Sequence, residues 1–429
     1  METHEQSTAS VSDKGLRTPA VVLSLLVLFS AIAIATPRAE AQTLNVLFSF
    51  TRSGNVGYTP YSGVVMDHAG RLYGTNSVGG AYGNGTVYRV ARAGSGWIAT
   101  GLYSFQGEPD GAGPMASVTF GPDGTLYGTT NAGGTGPGGG YGTVFNLRPP
   151  PTACTAALCP WTETVLYRFT GGSDGGLGGE DYLPFAGSLI LDQAGNIYGT
   201  TPLGGAYGDG VVFELTRSSG SWTESVLWNF SGGSDGSTPL SGVIFDRAGN
   251  LYGTASGQAG GGEVVYELSP SGSGWTQKTL YTFSGEDIAC PSGGVTMDAQ
   301  GNLYGTTGGL GSCGAGGEAY VLTPSGGHWA VSRRHTFEAY IGPVETPTLD
   351  AQGNLYDTIP SQGLGGGPGE VFKVTPPGNG WTYTDFFEFS GSPASYPFGE
   401  MIVDSSGNLY GTASEGGQYG EGVVWEITP

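Results

Sequence analysis

Short apolar runs separated by turn-forming residues recur along the chain from residue 42 onward. In one such stretch, Gly63-Val-Val-Met-Asp67 is followed by a polar turn and by Leu72-Tyr-Gly-Thr75. Apolar runs with Asp, Asn and Gly between them are typical of β-hairpins. A Gly-rich loop leads to a third run, such as Val211–Leu215, and a fourth run begins at Trp and ends at Phe, as in Trp222–Phe230. Each unit therefore predicts four antiparallel strands.

The pattern Asp-x-x-Gly-Asn-Leu-Tyr-Gly-Thr occurs seven times with small departures, the loosest copy being Gly121–Thr129. Its tyrosines are spaced 54, 71, 54, 52, 52 and 54 residues apart. Four-stranded units repeated at this interval are typical of the blades of a β-propeller. A linear β-solenoid is the structural alternative, but its coils are shorter and lack four-strand hairpins. The seven tyrosines are Tyr73, Tyr127, Tyr198, Tyr252, Tyr304, Tyr356 and Tyr410.

The two ends of the repeat array favour a closed ring. Leu44–Phe50 has the pattern of a fourth strand but precedes the first repeat, and the last repeat stops after a third strand, Val423–Ile427. We therefore expect Leu44–Phe50 to be the outer strand of the last blade, an exchange that removes exposed sheet edges. The sequence predicts an all-β fold: one seven-bladed β-propeller domain of four-stranded antiparallel blades over residues 42–429, closed by its N-terminal strand, with an insertion loop at 149–160.

The first 41 residues have the three parts of a secretory signal peptide. Lys14 and Arg17 precede an apolar run from Ala20 to Ala35, and Ala39-Glu40-Ala41 offers a cleavage site. An uncleaved membrane anchor is the alternative, because the apolar run is near the short limit for a span. We predict cleavage after residue 41 and a secreted or cell-envelope location, either periplasmic or extracellular.

Glycine and proline together make up a quarter of the 429 residues, a fraction that without a repeat is typical of disordered chains. Aromatic residues at 11% and charged residues at only 12% argue against disorder, because disordered chains are rich in charge and poor in rings. Helical bundles are excluded, since this much glycine would destabilise helix interiors. The glycines and prolines therefore separate many short strands.

The formal net charge is −21, and it becomes −20 when the first 41 residues are removed. A phosphate backbone or an anionic membrane surface would repel such a chain. We therefore expect no nucleic-acid partner and no membrane contact beyond the signal peptide. The expected state is a monomer whose partner is a glycan or an extracellular protein.

The repeat is similar to the GloVer tandem repeat of exported bacterial proteins. The similarity rests on the Asp-x-x-Gly-Asn-Leu-Tyr-Gly-Thr-Thr unit, a Gly-Gly-x-Tyr-Gly-x-Gly loop and a Val-Val-Phe-x-Leu strand, and it covers about residues 43–429. The resemblance implies export and a propeller-like array, and it brings no catalytic residues. Some members carry a C-terminal sorting domain, whereas this sequence ends at Ile427-Thr428-Pro429. Release as a soluble protein is therefore the expectation.

Four cysteines predict two disulfides, because an exported chain meets an oxidising environment. Cys154 and Cys159 lie in the insertion and would close a small loop. Cys290 precedes the first strand of its unit and Cys313 follows the second strand, positions that share one face of an antiparallel blade. A zinc site is the alternative, but no histidine lies near these cysteines in the sequence.

Conventional catalytic clusters are absent from the sequence pattern. The three histidines after residue 41, His68, His328 and His335, fall in different blades or on different strand types. No catalytic triad, metal site or cofactor is therefore predicted. The repeated hairpin aspartates are interpreted as turn formers. Non-periodic acidic residues in the loops before the first strands are candidates for carboxylate chemistry or Ca²⁺, although the spacing of a calcium loop is absent: Asp110, Asp174, Glu180, Asp181, Asp235, Glu286 and Asp287.

The strongest candidates for ligand binding are aromatic. Tyrosines in the Gly-x-Tyr-Gly loops, with carboxylates nearby, would stack on a sugar and hydrogen-bond to it; alternatively, each ring packs over its own loop. The unit with Asp357 in place of the repeat glycine is an outlier, explained either by a ligand contact near the central channel or by drift of one repeat. The candidate ligand-binding residues are Tyr82, Tyr141, Tyr207, Tyr419, Asp209, Glu421 and Asp357.

Two functions remain open from the sequence. The first is a binding or scaffold module that holds glycans or proteins at its loop-rich face. The second is a carbohydrate-active enzyme, a lyase or glycosidase that uses acidic loop residues on that face. Two central carboxylates about 5–9.5 Å apart would favour the enzyme, whereas exposed tyrosine rings without such a pair would favour binding.

Overall fold

The structure is a computed structural model that describes residues 42–134, 139–151, 161–178, 187–257, 262–283, 290–308, 316–337, 339–362, 367–375 and 381–429. The predicted signal peptide and residues 152–160 of the insertion lie outside this part. No described segment forms a long apolar helix of the kind that spans a bilayer.

The described residues form 32 β-strands and no α-helix. The first is β1 (Thr43–Ser49). Blade 1 contains β2 (Val65–Met66), β3 (Leu72–Asn76), β4 (Thr86–Ala93) and β5 (Gly96–Ser104). Blade 2 contains β6 (Thr119–Phe120), β7 (Leu126–Thr130), β8 (Thr143–Arg148) and β9 (Thr162–Arg168). Blade 3 contains β10 (Ile190–Leu191), β11 (Ile197–Thr201), β12 (Val211–Ser218) and β13 (Ser221–Asn229).

The remaining blades follow the same order. Blade 4 contains β14 (Ile244–Phe245), β15 (Leu251–Ala255), β16 (Val264–Ser271) and β17 (Gly274–Thr282). Blade 5 contains β18 (Val295–Met297), β19 (Leu303–Gly308), β20 (Gly317–Ser325) and β21 (His328–Phe337), and β22 (Ala339–Ile341) follows. Blade 6 contains β23 (Thr348–Leu349), β24 (Leu355–Ile359), β26 (Glu370–Thr375) and β27 (Thr382–Glu388). Two short strands lie outside its sheet: β25 (Ser361–Gln362) follows β24, and β28 (Ala394–Ser395) follows β27. Blade 7 contains β29 (Ile402–Val403), β30 (Leu409–Ala413) and β32 (Val423–Thr428), with β31 (Glu415–Gly416) before β32.

The described strands assemble into seven antiparallel four-stranded sheets and two small two-stranded ones. The first six blades pair their strands in chain order, and the seventh has the order β29-β30-β32-β1. One cavity is lined by the segments before the first strands of all seven blades, so the sheets surround a common axis. The predicted seven-bladed β-propeller is confirmed.

The N-terminal strand closes the ring as predicted. Leu44 pairs with Ile427, Val46 with Trp425 and Ser49 with Val423. A β-bulge interrupts this pairing between Val46 and Phe48, and a bulge at the equivalent place interrupts the third and fourth strands of the other six blades. The first strand in the sequence therefore has the same role as the fourth strands of the other units.

The packing of six blades requires the repeat glycine after the tyrosine, whereas blade 6 has Asp357 at this position. A Cβ atom on Gly253 would lie 2.6 Å from the Tyr266 hydroxyl oxygen, and one on Gly411 would lie 2.3 Å from the Trp425 ring. These aromatic side chains belong to the third strand and are fully buried. In these six blades the third-strand ring thus crosses the second strand at a point where no side chain fits.

The hairpin aspartates hold the turns between first and second strands, as the sequence predicts. Asp246 Oδ1 accepts the backbone N–H groups of Ala248 at 2.8 Å and Asn250 at 2.9 Å. Its Oδ2 accepts the Asn250 side chain at 2.8 Å and the Tyr252 hydroxyl at 3.2 Å. Burial raises the pKa of Asp246, but these hydrogen bonds outweigh that effect and hold the pKa below its ordinary value. Equivalent bonds form at Asp192, Asp298, Asp350 and Asp404.

Candidate functional site

Three of the four loop tyrosines are the most exposed large aromatic side chains among the described residues. Tyr82 is 60% exposed, Tyr207 is 67% exposed and Tyr419 is 54% exposed. Tyr141 differs, because it is partly buried and packs against the core of blades 2 and 3. A Cβ atom on Gly171 would lie 2.5 Å from the Tyr141 ring, which shows how closely the next loop covers it.

A shared contact holds the three exposed tyrosine loops in place. The backbone N–H before each tyrosine donates to a polar side chain at the end of the fourth strand in the same blade. Ala206 donates to Asn229 Oδ1 at 2.7 Å, and Ala81 donates to Ser104 Oγ at 3.3 Å. Gln418 donates to Ser49 Oγ, also at 3.3 Å. The loop backbone is therefore anchored while the ring extends into solvent.

Asp209 and Glu421 connect their loops to the following blade through the backbone. The Asp209 carbonyl accepts the N–H of Thr238 at 2.8 Å, and the Glu421 carbonyl accepts the N–H of Thr59 at 3.1 Å. The Glu421 carboxylate also accepts Arg52 Nε at 2.6 Å. Both residues lie next to an exposed loop tyrosine, and their role as ligand contacts stays a prediction.

Tyr207 lies at the edge of a cleft between blades 3 and 4. The cleft measures about 400 Å³ and is also lined by Trp228, Trp275, Asn229 and Asp235. The Trp228 indole N–H donates to Asp235 Oδ2 at 3.2 Å, so the orientation of that ring is fixed. This cleft, defined by these five residues, is called the Tyr207 cleft below. The sequence interpretation included Tyr207 and missed the two tryptophans, which come from different repeats.

The described acidic loop residues shape their own loops. Asp110 accepts the Tyr103 hydroxyl at 2.6 Å and the N–H of Gln106 at 3.0 Å. Asp174 accepts the Tyr167 hydroxyl at 3.0 Å, and Asp235 accepts Trp228 as described above. Each aspartate follows its aromatic donor by seven residues, so the interpretation of these acids as non-periodic is wrong. The other candidates lie outside the described residues: Glu180, Asp181, Glu286 and Asp287.

The propeller axis is nearly closed by backbone. A Cβ atom on Gly63 would lie 1.8 Å from the Glu400 carbonyl oxygen, and one on Gly293 would lie 2.0 Å from that of Glu345. The axial cavity has a volume of about 20 Å³, enough for one water-sized molecule. Beside it, Tyr61 and Phe398 stack edge to face at 5.5 Å within an apolar cluster. A sugar ring does not fit on this axis.

Two carboxyl groups, Glu345 and Glu400, line the axial cavity, and Asp357 interacts with both; these three are called the axial carboxyls below. Glu400 Oε2 accepts the Ser188 hydroxyl at 3.4 Å, a contact from blade 7 to blade 3. Burial raises the pKa of Glu345 to about 8, and the charges of Glu400 and Asp357 act in the same direction. Burial also raises the pKa of Glu400. Blade 1 has the small residues Ser62 and Gly63 at the positions that correspond to Glu345 and Glu400. A comparison of the segments before the first strands would therefore have revealed the two glutamates.

Asp357 is buried between blades 5 and 6. It is 2% exposed, and its carboxylate accepts the Thr306 hydroxyl at 2.9 Å and the N–H of Thr358 at 2.7 Å. Burial raises its pKa to about 8 despite these hydrogen bonds, and Glu400 adds to the effect. In blades 3 and 4 the repeat threonine donates to a backbone carbonyl of the next blade. Thr306 of blade 5 donates to the Asp357 side chain instead. The role of Asp357 as a ligand contact stays a prediction.

No described group of three or more His, Cys, Asp or Glu side chains has the geometry of a metal site. Cys290 is buried and has no free thiol. Cys154, Cys159 and Cys313 lie outside the described residues, so the two disulfide pairings stay predictions.

Comparison with known families decides the relationship that the repeat pattern suggested. The family described as the Gloeobacter/Verrucomicrobia repeat matches residues 33–183, 161–343 and 258–429. The chain belongs to this family. The Gloeobacter/Verrucomicrobia repeat thus extends over the whole propeller, in agreement with the predicted GloVer resemblance. No curated protein matches the chain significantly.

Several solved structures are partly similar to this member of the Gloeobacter/Verrucomicrobia repeat family. A Bacteroides uniformis protein assigned as a 6-phosphogluconolactonase has 13% identity and a TM-score of 0.48, over 80% of this chain and 88% of its own. The extracellular domain of a B. thetaiotaomicron protein assigned as a hybrid two-component system has 13% identity and a TM-score of 0.46, over 90% of this chain and 41% of its own. A Dyadobacter fermentans protein of unknown function has 11% identity and a TM-score of 0.40, over 90% of this chain and 96% of its own. The fold assignment rests on the sheets described above, and these similarities add no function.

Proposed function

We propose that this protein is a secreted binding module that holds a glycan in the Tyr207 cleft. The observation that carries the proposal is an exposed Tyr207 ring beside two tryptophans whose cleft has a volume of about 400 Å³. Small-molecule sites in proteins have volumes of this order, and they combine aromatic walls with a few polar groups. Asn229 and Asp235 supply those polar groups.

The local structure also supports binding through its rigidity. Tyrosine and tryptophan provide large contact areas at a low cost in conformational entropy. The Tyr207 loop is anchored through Ala206, and the Trp228 ring is held by Asp235. Because a sugar ring has an apolar face and a polar rim, it suits a cleft with aromatic walls and nearby carboxylate and amide groups.

The enzyme alternative receives less support. Asp110, Asp174 and Asp235 accept hydrogen bonds that shape their loops. Glu345 and Glu400 line a cavity of about 20 Å³, which does not admit a sugar. Binding by a preformed aromatic cleft is therefore the function that the geometry supports best.

A glycan array tests the proposal on residues 42–429 and on two single variants. We expect the protein to bind a defined set of glycans, and Tyr207→Ala to weaken that binding about tenfold, as expected for an aromatic hot spot. Tyr207→Ala should leave the melting temperature unchanged, because the ring is exposed. Tyr141→Ala is the matched control: it should lower the melting temperature and leave the glycan pattern intact. Binding to no glycan, or equal binding by Tyr207→Ala, would contradict the proposal.

A further inference from the structure

A second and larger pocket lies between the hairpin turns of blades 1 and 2. Its volume is about 710 Å³, and its wall includes His68, Arg71, Arg89, Phe120 and Trp161. The hairpin turns lie at the opposite strand ends from the Gly-rich loops, so this pocket is separate from the Tyr207 cleft. We call it the Arg89 pocket.

The charge of the Arg89 pocket departs from the repeat. Arg71 occupies the position of the repeat asparagine, represented by Asn250 in blade 4. Arg89 occupies the position of Glu267, which pairs with Tyr252 as Arg89 pairs with Tyr73. Blade 1 therefore has two guanidinium groups where blade 4 has an amide and a carboxylate, within a chain whose net charge is −21. Glutamate also occupies the Arg89 position in blades 3 and 7, as Glu214 and Glu426.

The two arginines differ in their partners. Arg71 Nε binds Asp67 Oδ2 at 2.5 Å, and its side chain is 46% exposed. Arg89 Nε is buried and has no hydrogen-bond acceptor among the described residues. Since Arg89 lines the pocket, a ligand oxyanion there would supply the negative charge that Asp67 supplies to Arg71, and the guanidinium fork matches a carboxylate.

The remaining wall of the Arg89 pocket is aromatic. The Tyr73 ring lies edge to face with Phe120 at 5.3 Å and with Trp161 at 6.3 Å. Blade 4 repeats the tryptophan contact, with Tyr252 and Trp329 also 6.3 Å apart, but Met297 occupies the position of Phe120. The two blades therefore share the tyrosine–tryptophan contact, and the arginines together with Phe120 are specific to the pocket at blade 1.

We propose that the Arg89 pocket binds a small carboxylate carried on a ring, of the class of uronic acids. Arg89 and Arg71 hold the carboxylate, and the Phe120 and Trp161 rings contact the apolar face of the ligand. The pocket volume lies within the range of small-molecule sites. The inference goes beyond the glycan site proposed above and shares no residue with it.

Isothermal titration of residues 42–429 with D-glucuronate, D-glucose and inorganic phosphate tests the inference. Glucuronate should bind at least tenfold more tightly than glucose or phosphate. Arg89→Glu should weaken glucuronate binding at least tenfold, and the fold already accommodates glutamate at this position in three blades. Arg217→Glu is the control, because it reverses an exposed charge in blade 3, and it should leave binding unchanged.

Three results would overturn the inference: equal affinity for glucuronate and glucose, phosphate binding at least as tight as glucuronate binding, or an Arg89→Glu variant that binds normally. If Arg89→Glu lowers the melting temperature, Arg71→Asn takes its place, because Arg71 is exposed and asparagine is the repeat residue. Arg71→Asn should then weaken glucuronate binding several-fold, and unchanged binding by this variant would also overturn the inference.

Discussion

At the scale of single residues, the carboxyl groups fall into two classes with opposite pH behaviour. The hairpin aspartates accept several hydrogen bonds, and those of blades 1, 4, 5 and 7 have pKa values below the ordinary one. The axial carboxyls Glu345 and Asp357 have pKa values of about 8, because burial favours their neutral form. Carboxyl groups of the first class favour the folded state when they are ionised, whereas those of the second class favour it when they are protonated.

The axial carboxyls predict that the protein loses stability as the pH rises from about 5 to about 8. In this window the folded state holds protons that an unfolded glutamate or aspartate, with a pKa near 4, has released. Raising the pH therefore favours unfolding, while the hairpin aspartates of blades 1, 4, 5 and 7, whose pKa values are lowered, titrate below this window. Glu345→Gln and Asp357→Asn should each flatten the dependence and stabilise the protein at pH 8, as measured by urea unfolding at several pH values. Glu388→Gln, at an exposed residue, should keep the wild-type slope; a wild-type slope in all three variants would contradict the assignment.

At the scale of structural elements, the repeat threonines of blades 1, 3, 4 and 7 bind a backbone carbonyl of the next blade. The Thr200 hydroxyl donates to the carbonyl of Ser241 at 2.7 Å, and the Thr254 hydroxyl donates to that of Gly293 at 2.8 Å. The same bond joins Thr412 of blade 7 to Ser62 of blade 1 at 2.7 Å, across the closure of the ring. At these junctions a side chain therefore joins the second strand of one blade to the segment before the first strand of the next.

These links predict different outcomes for the same substitution in two blades. Thr254→Val removes a buried hydrogen bond to the next blade and should lower the free energy of unfolding by about 1–2 kcal/mol. Thr358 is the matched control, because its buried hydroxyl has no hydrogen-bond partner among the described residues. Thr358→Val should be neutral or stabilising. Urea unfolding of both variants measures the difference, and equal losses at the two positions would refute the role of the link.

Closure by β1 gives a second prediction at this scale. Deletion of residues 42–50 would expose the edge of β32, where Val423, Val424 and Trp425 are now buried. An exposed apolar edge favours pairing with another chain, so the deletion variant should form oligomers or aggregates in light scattering. Residues 42–429 with β1 intact should be monomeric under the same conditions. A deletion variant that remains monomeric with an unchanged melting temperature would show that β1 does not close the ring.

At the scale of the whole molecule, periodicity explains what the sequence could predict. Strands, hairpin turns and closure follow a pattern repeated seven times, so each copy supported the others. The Tyr207 cleft was only partly predictable, because Trp228 and Trp275 belong to different repeats and meet only in the ring. Glu345 and Glu400 were not predictable from the hairpin pattern, because they lie in the short segments before the first strands. Asp235 was wrongly interpreted as non-periodic, because the hydrogen bond that it accepts from Trp228, seven residues earlier, lies outside the repeated hairpin.

The central claim is that a rigid aromatic cleft on this propeller binds a glycan, and hydrogen–deuterium exchange tests it most directly. Exchange is measured on residues 42–429 with and without the oligosaccharide that binds most tightly on the array. The account predicts added protection at residues 206–209 and 227–235, with little change elsewhere, because Tyr207, Trp228 and Asp235 lie in these segments. The Tyr207→Ala variant should lose that protection. Protection confined to other segments, or protection that persists in the variant, would contradict the account.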